Sequence, residues 1–355
     1  MPAAQAIVVS RHGGPEVLVL REVEVAAPEP HQVQIAAKAV GLNFADVYER
    51  LGLYEAAPPP PFVPGFELAG VVTAVGRDVT RFRPGDRVAG ATRFGGYATL
   101  VNVSEWFCFA MPAAATFEEA AGFPCVYATA FHALYNLGQL RDGMKVLIHA
   151  AAGGVGIAAL QLARQKDVEI FATAGSDEKL KVARAHGAHH AINYEKEDFE
   201  PIVRAATKGR GVDLVLDSVL GEVFRKSYRL LAPTGQLVAF GAATMMPAGP
   251  RPNWLKLAWQ WLRRPRVDPL QMIGENRAVS GFNLVYLFDD RRLADVCFGP
   301  LARLWHEGAL KPLIGLTLPF ERAGEAQEAL RGRRTVGKVV LTVGTPAATS
   351  FSHDR

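Results

Sequence analysis

The run KVLIHAAAGGVGIAALQLA at residues 145–163 constrains the fold more than any other stretch. A short apolar, strand-like pattern passes through a glycine-rich turn into a helical pattern. A helix starting at such a turn aims free backbone N–H groups and its positive dipole end at whatever sits there, which suits a pyrophosphate. Gly153 and Gly156 fill the second and third positions of a Gly-x-Gly-x-x-Gly pattern, and Ala151 stands in place of the first glycine. Turns of this composition also serve as plain connectors. Here a second apolar strand at 168–174 closes a βαβ unit, and that context favours dinucleotide binding.

The pattern continues downstream. Strands are expected near 145–150, 168–173, 190–193, 212–217 and 236–241, with helices near 154–166, 177–186, 198–207 and 222–231. Such alternation implies an α/β fold with a doubly wound parallel sheet. Pro247, Pro250 and Pro252 interrupt it, followed by a Trp-rich helix over 254–264 and a further strand over 277–284. The opening residues read differently. Alternating runs at 33–40, 66–75 and 95–101 are punctuated by glycine and proline, which predicts a mostly β domain. Within it Asn43 caps a short helix that Gly52 ends, placing Asn43 and Tyr48 near one face with Tyr54 just beyond. Thr116 and Glu119 have capping-box spacing, and a helix after Pro124 ends at Gly138. The closing strand, 337–343, is expected to rejoin the opening domain.

With 355 residues, 49% apolar and 21% charged, the chain suits a two-domain globular protein. The net charge of +4 is spread along it, so nucleic acid is not indicated. Cys108, Cys125 and Cys297 are isolated among apolar residues and fit buried thiols in a reducing compartment. No signal-like opening and no run of 18 apolar residues is found, so the cytoplasm is the expected location.

The β-rich opening, Gly-Phe-Glu-Leu-Ala-Gly-Val-Val from Gly65, Pro-Gly-Asp-Arg-Val from Pro84, the glycine turn and the closing Gly-Lys-Val-Val-Leu together resemble the medium-chain dehydrogenase/reductase superfamily. Gly-Leu-Asn-Phe-Ala-Asp from Gly41 and Ala-Thr-Ala-Gly-Ser from Ala172 resemble its quinone oxidoreductase family. The Trp-rich insert and the sequence from Glu275 to Leu284 look most like the vesicle amine transport protein homologue branch. The resemblance implies a GroES-like catalytic domain from residues 1–125 and 289–355, and a Rossmann NADP-binding domain from 126–288 with the insert near 245–276. It also implies a homodimer. Zinc-dependent members carry a histidine before the glutamate matching Glu67, a cysteine ligand near Asn43, and four closely spaced cysteines; this chain has none of these, so no metal is expected. His189 and His190, the one adjacent histidine pair, open a strand and should point to opposite faces.

The second strand ends without the acid that usually binds an NAD ribose. Lys179 falls in the first turn of the next helix, where a cation opposes the dipole unless an anion compensates it. Ser176 reads equally well as a plain N-cap, with Asp177 and Glu178 screening Lys179. The resemblance assigns Ser176, Lys179 and Tyr194 to a 2′-phosphate, hence NADPH. It adds Thr129, Ala151, Gly153, Gly154, Val155, Gly156, Gly175, Ser218, Phe240, Gly241, Phe282, Asn283 and Lys338 as cofactor neighbours. Asn43, Tyr48 and Tyr54 would line the acceptor pocket, one tyrosine acting as proton donor, although each residue also has an ordinary capping or packing role.

Without a metal, hydride acceptance suits a quinone or an α,β-unsaturated carbonyl, whose developing oxyanion takes hydrogen bonds from such donors. The alternative is a membrane- or partner-associated protein that retains its nucleotide site but turns over little. On the insert helix Trp254, Ala258, Trp261 and Leu262 share a face, with Lys256, Arg263 and Arg264 supplying charge. A lid or a dimer contact is the favoured role for this helix over a lipid interface.

Overall fold

The computed structural model describes residues 3–246, 253–288 and 290–344. Pro247, Pro250 and Pro252 lie outside the described residues, as does the Lys256 side chain.

The chain opens with an antiparallel pair, β1 (Ala3–Val9) and β2 (Leu18–Glu24). The long strand β3 (Gln32–Leu42) runs into α1 (Phe44–Leu51), which ends at Gly52 in the left-handed conformation (φ 72°). Then come β4 (Glu67–Val75), β5 (Arg87–Ala91), β6 (Leu100–Ser104) and β7 (Cys108–Ala110). Thr116 caps α2 (Phe117–Ala121), its hydroxyl accepting the Glu119 N–H while the Glu119 carboxylate accepts the Thr116 N–H. Helix α3 (Pro124–Phe131) passes into a wider π turn over His132–Leu137 and stops at Gly138.

From there strand and helix alternate: β8 (Lys145–Ile148), α4 (Gly154–Ala163), β9 (Glu169–Ala174), α5 (Asp177–Ala185), β10 (His190–Asn193), α6 (Phe199–Ala206), β11 (Val212–Asp217), α7 (Glu222–Arg229) and β12 (Leu231–Ala239). The insert forms α8 (Trp254–Leu262) and α9 (Pro269–Glu275), and β13 (Ala278–Gly281) follows. The six strands are all parallel in the order β10-β9-β8-β11-β12-β13. Counted from β8, this is 3-2-1-4-5-6, the doubly wound order whose switch point lies between β8 and β11. Helices cover both faces, so β8 and β11 are buried almost along their length. Strand β12 begins five residues earlier than the apolar run at 236 suggests, because Thr234 adopts a positive φ (67°) and lets the chain pair across the kink.

After α10 (Arg291–Leu293) and α11 (Gly299–His306), the chain returns through β14 (Ile314–Pro319), α12 (Ala323–Arg331) and β15 (Lys338–Thr342). Strand β15 pairs antiparallel with β3, so the second sheet reads β14-β15-β3-β4-β5-β7, with β6 also on β3. This return brings the 332–337 segment against the glycine turn: the Gly337 N–H donates to the Ala152 carbonyl at 2.8 Å. Phe298 stacks on Phe109 (4.4 Å) and Trp305 on Phe123 (4.1 Å), while Phe109 meets Phe123 edge to face (5.1 Å), joining residues from the two chain ends in one core.

Candidate functional site

A cavity of about 1250 Å³ lies between the two sheets, at the carboxyl ends of β8 and β11. The glycine turn forms its floor. A Cβ on Gly156 would lie 2.5 Å from the Ala150 carbonyl oxygen, so only glycine lets α4 pack this close to β8. Gly153, by contrast, has no neighbour nearer than 3.3 Å and leaves space above the helix end. The first N–H groups of α4 have no acceptor within the helix and are available to an anion. Gly153, Gly154, Val155 and Gly156 line the cavity; Ala151 does not, because its N–H is bound to the Thr173 carbonyl and its side chain is buried.

At the end of β9, Gly175 passes under the Tyr194 ring, whose hydroxyl lies 2.7 Å from where a Cβ would be. Ser176 is an N-cap, its hydroxyl accepting the Lys179 N–H at 3.3 Å, and it does not line the cavity. Lys179 and Tyr194 do. The Asp177 carboxylate is turned aside, accepting from Asn193 (2.8 Å) and Lys196 (2.7 Å), and Lys196 lowers its pKa. Lys179 Nζ instead donates to the Arg333 carbonyl at 2.6 Å. Burial, and then the Arg333 charge, lower the lysine pKa. Arg333 was not among the expected residues. It also lines the cavity, held with positive φ (54°), and its guanidinium donates to the Ala243 carbonyl at 3.1 Å.

The opposite wall is a polar network under α1. Asn43 Nδ2 donates to Glu67 Oε1 (2.8 Å) and Asn43 Oδ1 accepts from Lys338 Nζ (2.7 Å). Lys338 is also paired with Glu67 (2.5 Å), and the second Glu67 oxygen accepts the Cys125 N–H (2.7 Å). An amide has two N–H bonds, so one Asn43 donor remains for the cavity. The tyrosines reach across the cleft. Tyr48 donates to the Ala242 carbonyl (2.6 Å) and Tyr54 to Asn283 Oδ1 (2.8 Å), and burial raises the pKa of both. Both hydroxyls therefore stay protonated and are weak acids. Thr129, Ser218, Phe240, Gly241 and Phe282 complete the lining expected from the sequence. His149 was not anticipated there: it is buried, bonded to Thr173 (2.9 Å) and Ser227 (2.8 Å), with its pKa lowered by burial so that it backs the site as a neutral ring.

Behind Asn43, Asp46 accepts from Tyr97 (2.7 Å) and from the Asn43 N–H (2.8 Å), and burial pushes its pKa up to about 7. Glu49 is fully buried beside it with no well-formed hydrogen bond on its carboxyl, and burial followed by the Asp46 charge pushes it well above the usual range. These folded-state values lie above the unfolded ones, so the stability they contribute is present below about pH 4 and is lost as pH rises through the folded values. Glu49→Gln is thus expected to raise the thermal midpoint by several degrees at about pH 8 and to flatten its fall from acid to neutral pH. A variant whose midpoint tracks the wild type at every pH would show that Glu49 is not held protonated.

His189 and His190 do not converge: His189 accepts the Ile170 N–H, and His190 stacks on Phe171 and bonds Glu169. Among the described residues, no group of three or more His, Cys, Asp or Glu is placed to hold a metal ion.

Comparison with known proteins places these features in context. The family model described as zinc-binding dehydrogenase matches residues 154–283, and that of the alcohol dehydrogenase GroES-like domain matches 29–113. The synaptic vesicle membrane protein VAT-1 homolog of Rattus norvegicus is 39% identical over 97% of this chain and 85% of its own length. A quinone oxidoreductase of Pseudomonas aeruginosa is 36% identical over 95% of this chain and 99% of its own. Among solved structures, the human VAT-1 homolog-like protein superposes with a TM-score of 0.83 at 29% identity, covering 98% of this chain and all of the other. Escherichia coli quinone oxidoreductase complexed with NADPH gives 0.82 at 30%, covering 96% and 100%.

Proposed function

The chain belongs to the medium-chain dehydrogenase/reductase superfamily, alongside its quinone oxidoreductases and VAT-1 homologues, and from that premise we propose that it is a zinc-independent, NADPH-dependent reductase of a quinone or an α,β-unsaturated carbonyl. The observation that carries the reading is that Lys179 and Arg333 line the same cavity as Asn43, Tyr48 and Tyr54, with the Tyr48 hydroxyl and the Arg333 guanidinium on the adjacent carbonyls of Ala242 and Ala243. In this reading residues 126–288 carry the nucleotide, joined by Arg333 from the returning chain, and 1–125 with the rest of 289–355 carry the acceptor.

The site suits the cofactor. The α4 N-terminus faces where a pyrophosphate would sit, and Gly153 leaves it room. Lys179 and Arg333 would hold the 2′-phosphate. When bound, NADPH supplies a hydride, and the protein contributes position and electrostatics. Thr129, Phe240 and Phe282 wall the space beyond the glycine turn. The remaining Asn43 N–H and the tyrosine hydroxyls act as neutral donors to the acceptor oxygen as negative charge develops on it. In the resting site both tyrosine hydroxyls donate to protein acceptors, Tyr48 to Ala242 and Tyr54 to Asn283, and burial raises the pKa of each, so either is a protonated donor placed to orient and polarise the acceptor oxygen. The test is NADPH oxidation screened against quinones and short enones; no oxidation with any acceptor of either class would refute the reading.

Zinc does not fit. Where a metal would need anionic donors, Glu67 is already paired with the Lys338 ammonium and Asn43 presents a neutral amide tied to both. Elemental analysis is expected to find no stoichiometric zinc, and chelators should leave turnover unchanged. One zinc per chain surviving dialysis would overturn the assignment.

A further inference from the structure

We infer that the inner side of α8 is the wall on which the adenine of NADPH stacks, a role that rests on the cofactor reading above. Among the described residues, four large apolar side chains line the cavity and are nevertheless exposed: Tyr194 (42%), Trp254 (65%), Trp261 (58%) and Leu262 (68%). Three of them belong to α8. Trp254, Leu257, Ala258 and Trp261 all line the cavity, and their spacing of three, four and seven residues from Trp254 makes one stripe along the helix. Leu255 and Trp259 lie off that stripe and outside the cavity lining. An apolar wall open to water inside a cavity is a binding surface for something flat and apolar.

The ties of α8 decide the occupant. Gln260 Nε2 donates to the Thr244 carbonyl (2.9 Å), the Thr244 hydroxyl donates to the Val219 carbonyl (2.9 Å), and Arg225 donates to the Arg263 carbonyl just past the helix end (2.6 Å). These bonds hold the helix against the segments that follow β11 and β12, where Val219 and Val223 join it in lining the cavity. Three successive carbonyls are thereby engaged: Ala242 by Tyr48, Ala243 by Arg333 and Thr244 by Gln260. The wall is thus fixed one residue from the contact of the arginine assigned to the 2′-phosphate. In the cofactor the 2′-phosphate and the base occupy neighbouring ribose carbons, so a wall beside the phosphate cations faces the base. Stacking of a base on an indole needs no matched hydrogen bonds. That suits a wall whose Gln260 and Thr244 are already bonded to the backbone. Arg264 lies over the Trp261 ring (4.0 Å) and donates to the Trp261 carbonyl (2.8 Å), which steadies the indole.

Calorimetric titration of the full-length protein with three probes tests the assignment. NADPH carries both halves, 2′,5′-ADP carries the base without the nicotinamide, and reduced nicotinamide mononucleotide carries the nicotinamide without the base. Trp254→Ser with Trp261→Ser is expected to weaken NADPH and 2′,5′-ADP by at least about tenfold, the effect of losing aromatic stacking on one base, and to leave the mononucleotide unchanged. Ala258→Glu keeps a good helix former at an exposed position and sets a carboxylate in the stripe, so it should weaken the same two probes. Leu255→Ser with Trp259→Ser, off the stripe, should weaken none. Wild-type affinity for 2′,5′-ADP in both inner-side variants would overturn the inference while leaving the cofactor reading intact. A loss confined to the mononucleotide or to the acceptor KM would also overturn it, giving the wall to the acceptor. A wild-type protein that binds neither NADPH nor 2′,5′-ADP would refute the cofactor reading itself, and this inference with it.

Discussion

Lys179→Glu combined with Arg333→Glu is expected to weaken NADPH binding by at least about a hundredfold while leaving NADH binding within a few-fold of wild type. Each cation can make a charge-assisted hydrogen bond to a 2′-phosphate, worth roughly 1.5–3 kcal/mol net. NADH has no phosphate there and loses neither. The site is arranged for that difference. Burial and mutual repulsion lower the Lys179 pKa, so an anion bound between Lys179 and Arg333 relieves an existing electrostatic cost. The nearby acid Asp177 is committed to Asn193 and Lys196, so it does not repel a phosphate from within the cavity. Fluorescence titration of both nucleotides against wild type and variant measures the effect, and equal affinity of the wild type for the two would sink the preference.

Arg333 also shows where reading the sequence stops. The glycine turn, the alternation and the missing ribose acid are local patterns, and they led to the doubly wound sheet and to Lys179. Arg333 is 154 residues from Lys179 along the chain. It reaches the nucleotide end because β15 pairs with β3 and Gly337 bonds Ala152, a long-range return that no periodicity encodes. The signal available was the basic run Arg331-Gly-Arg-Arg334 just before the closing strand. Ser176 is the opposite case. A serine before Asp-Glu-Lys is a strong N-cap pattern, and its hydroxyl is spent on the Lys179 N–H. The Asn43–Glu67–Lys338 network was equally hidden, because burial pairs three polar residues drawn from α1's start, β4 and β15. The insert was legible as a Trp-rich amphipathic helix, but only its exposure distinguishes a wall with an uncovered outer side from a closed lid.

Asn43→Ala is expected to lower turnover of an accepted quinone or enone by roughly ten- to a hundredfold, and Tyr54→Phe by less, with NADPH affinity nearly intact. Loss of one donor in an enclosed oxyanion site costs about 3–4 kcal/mol. The lower figure here reflects an open cavity in which water can replace the lost donor. Asn43 should matter more for a geometric reason. Glu67 and Lys338 grip its amide from both sides, leaving one N–H pointed by the network, whereas the Tyr54 hydroxyl must leave Asn283 to reach an acceptor. Substitution also leaves buried Glu67 with Lys338 and the Cys125 N–H alone, so some stability is lost, by roughly 1–3 kcal/mol. Turnover must therefore be compared well below the variant's thermal midpoint. Asn43→Gln separates the two effects, since it keeps an amide for Glu67 but displaces the donor. If Asn43→Ala retains full turnover while folded, Asn43 only ties α1 to Glu67 and Lys338, and the acceptor oxygen is held by the tyrosines.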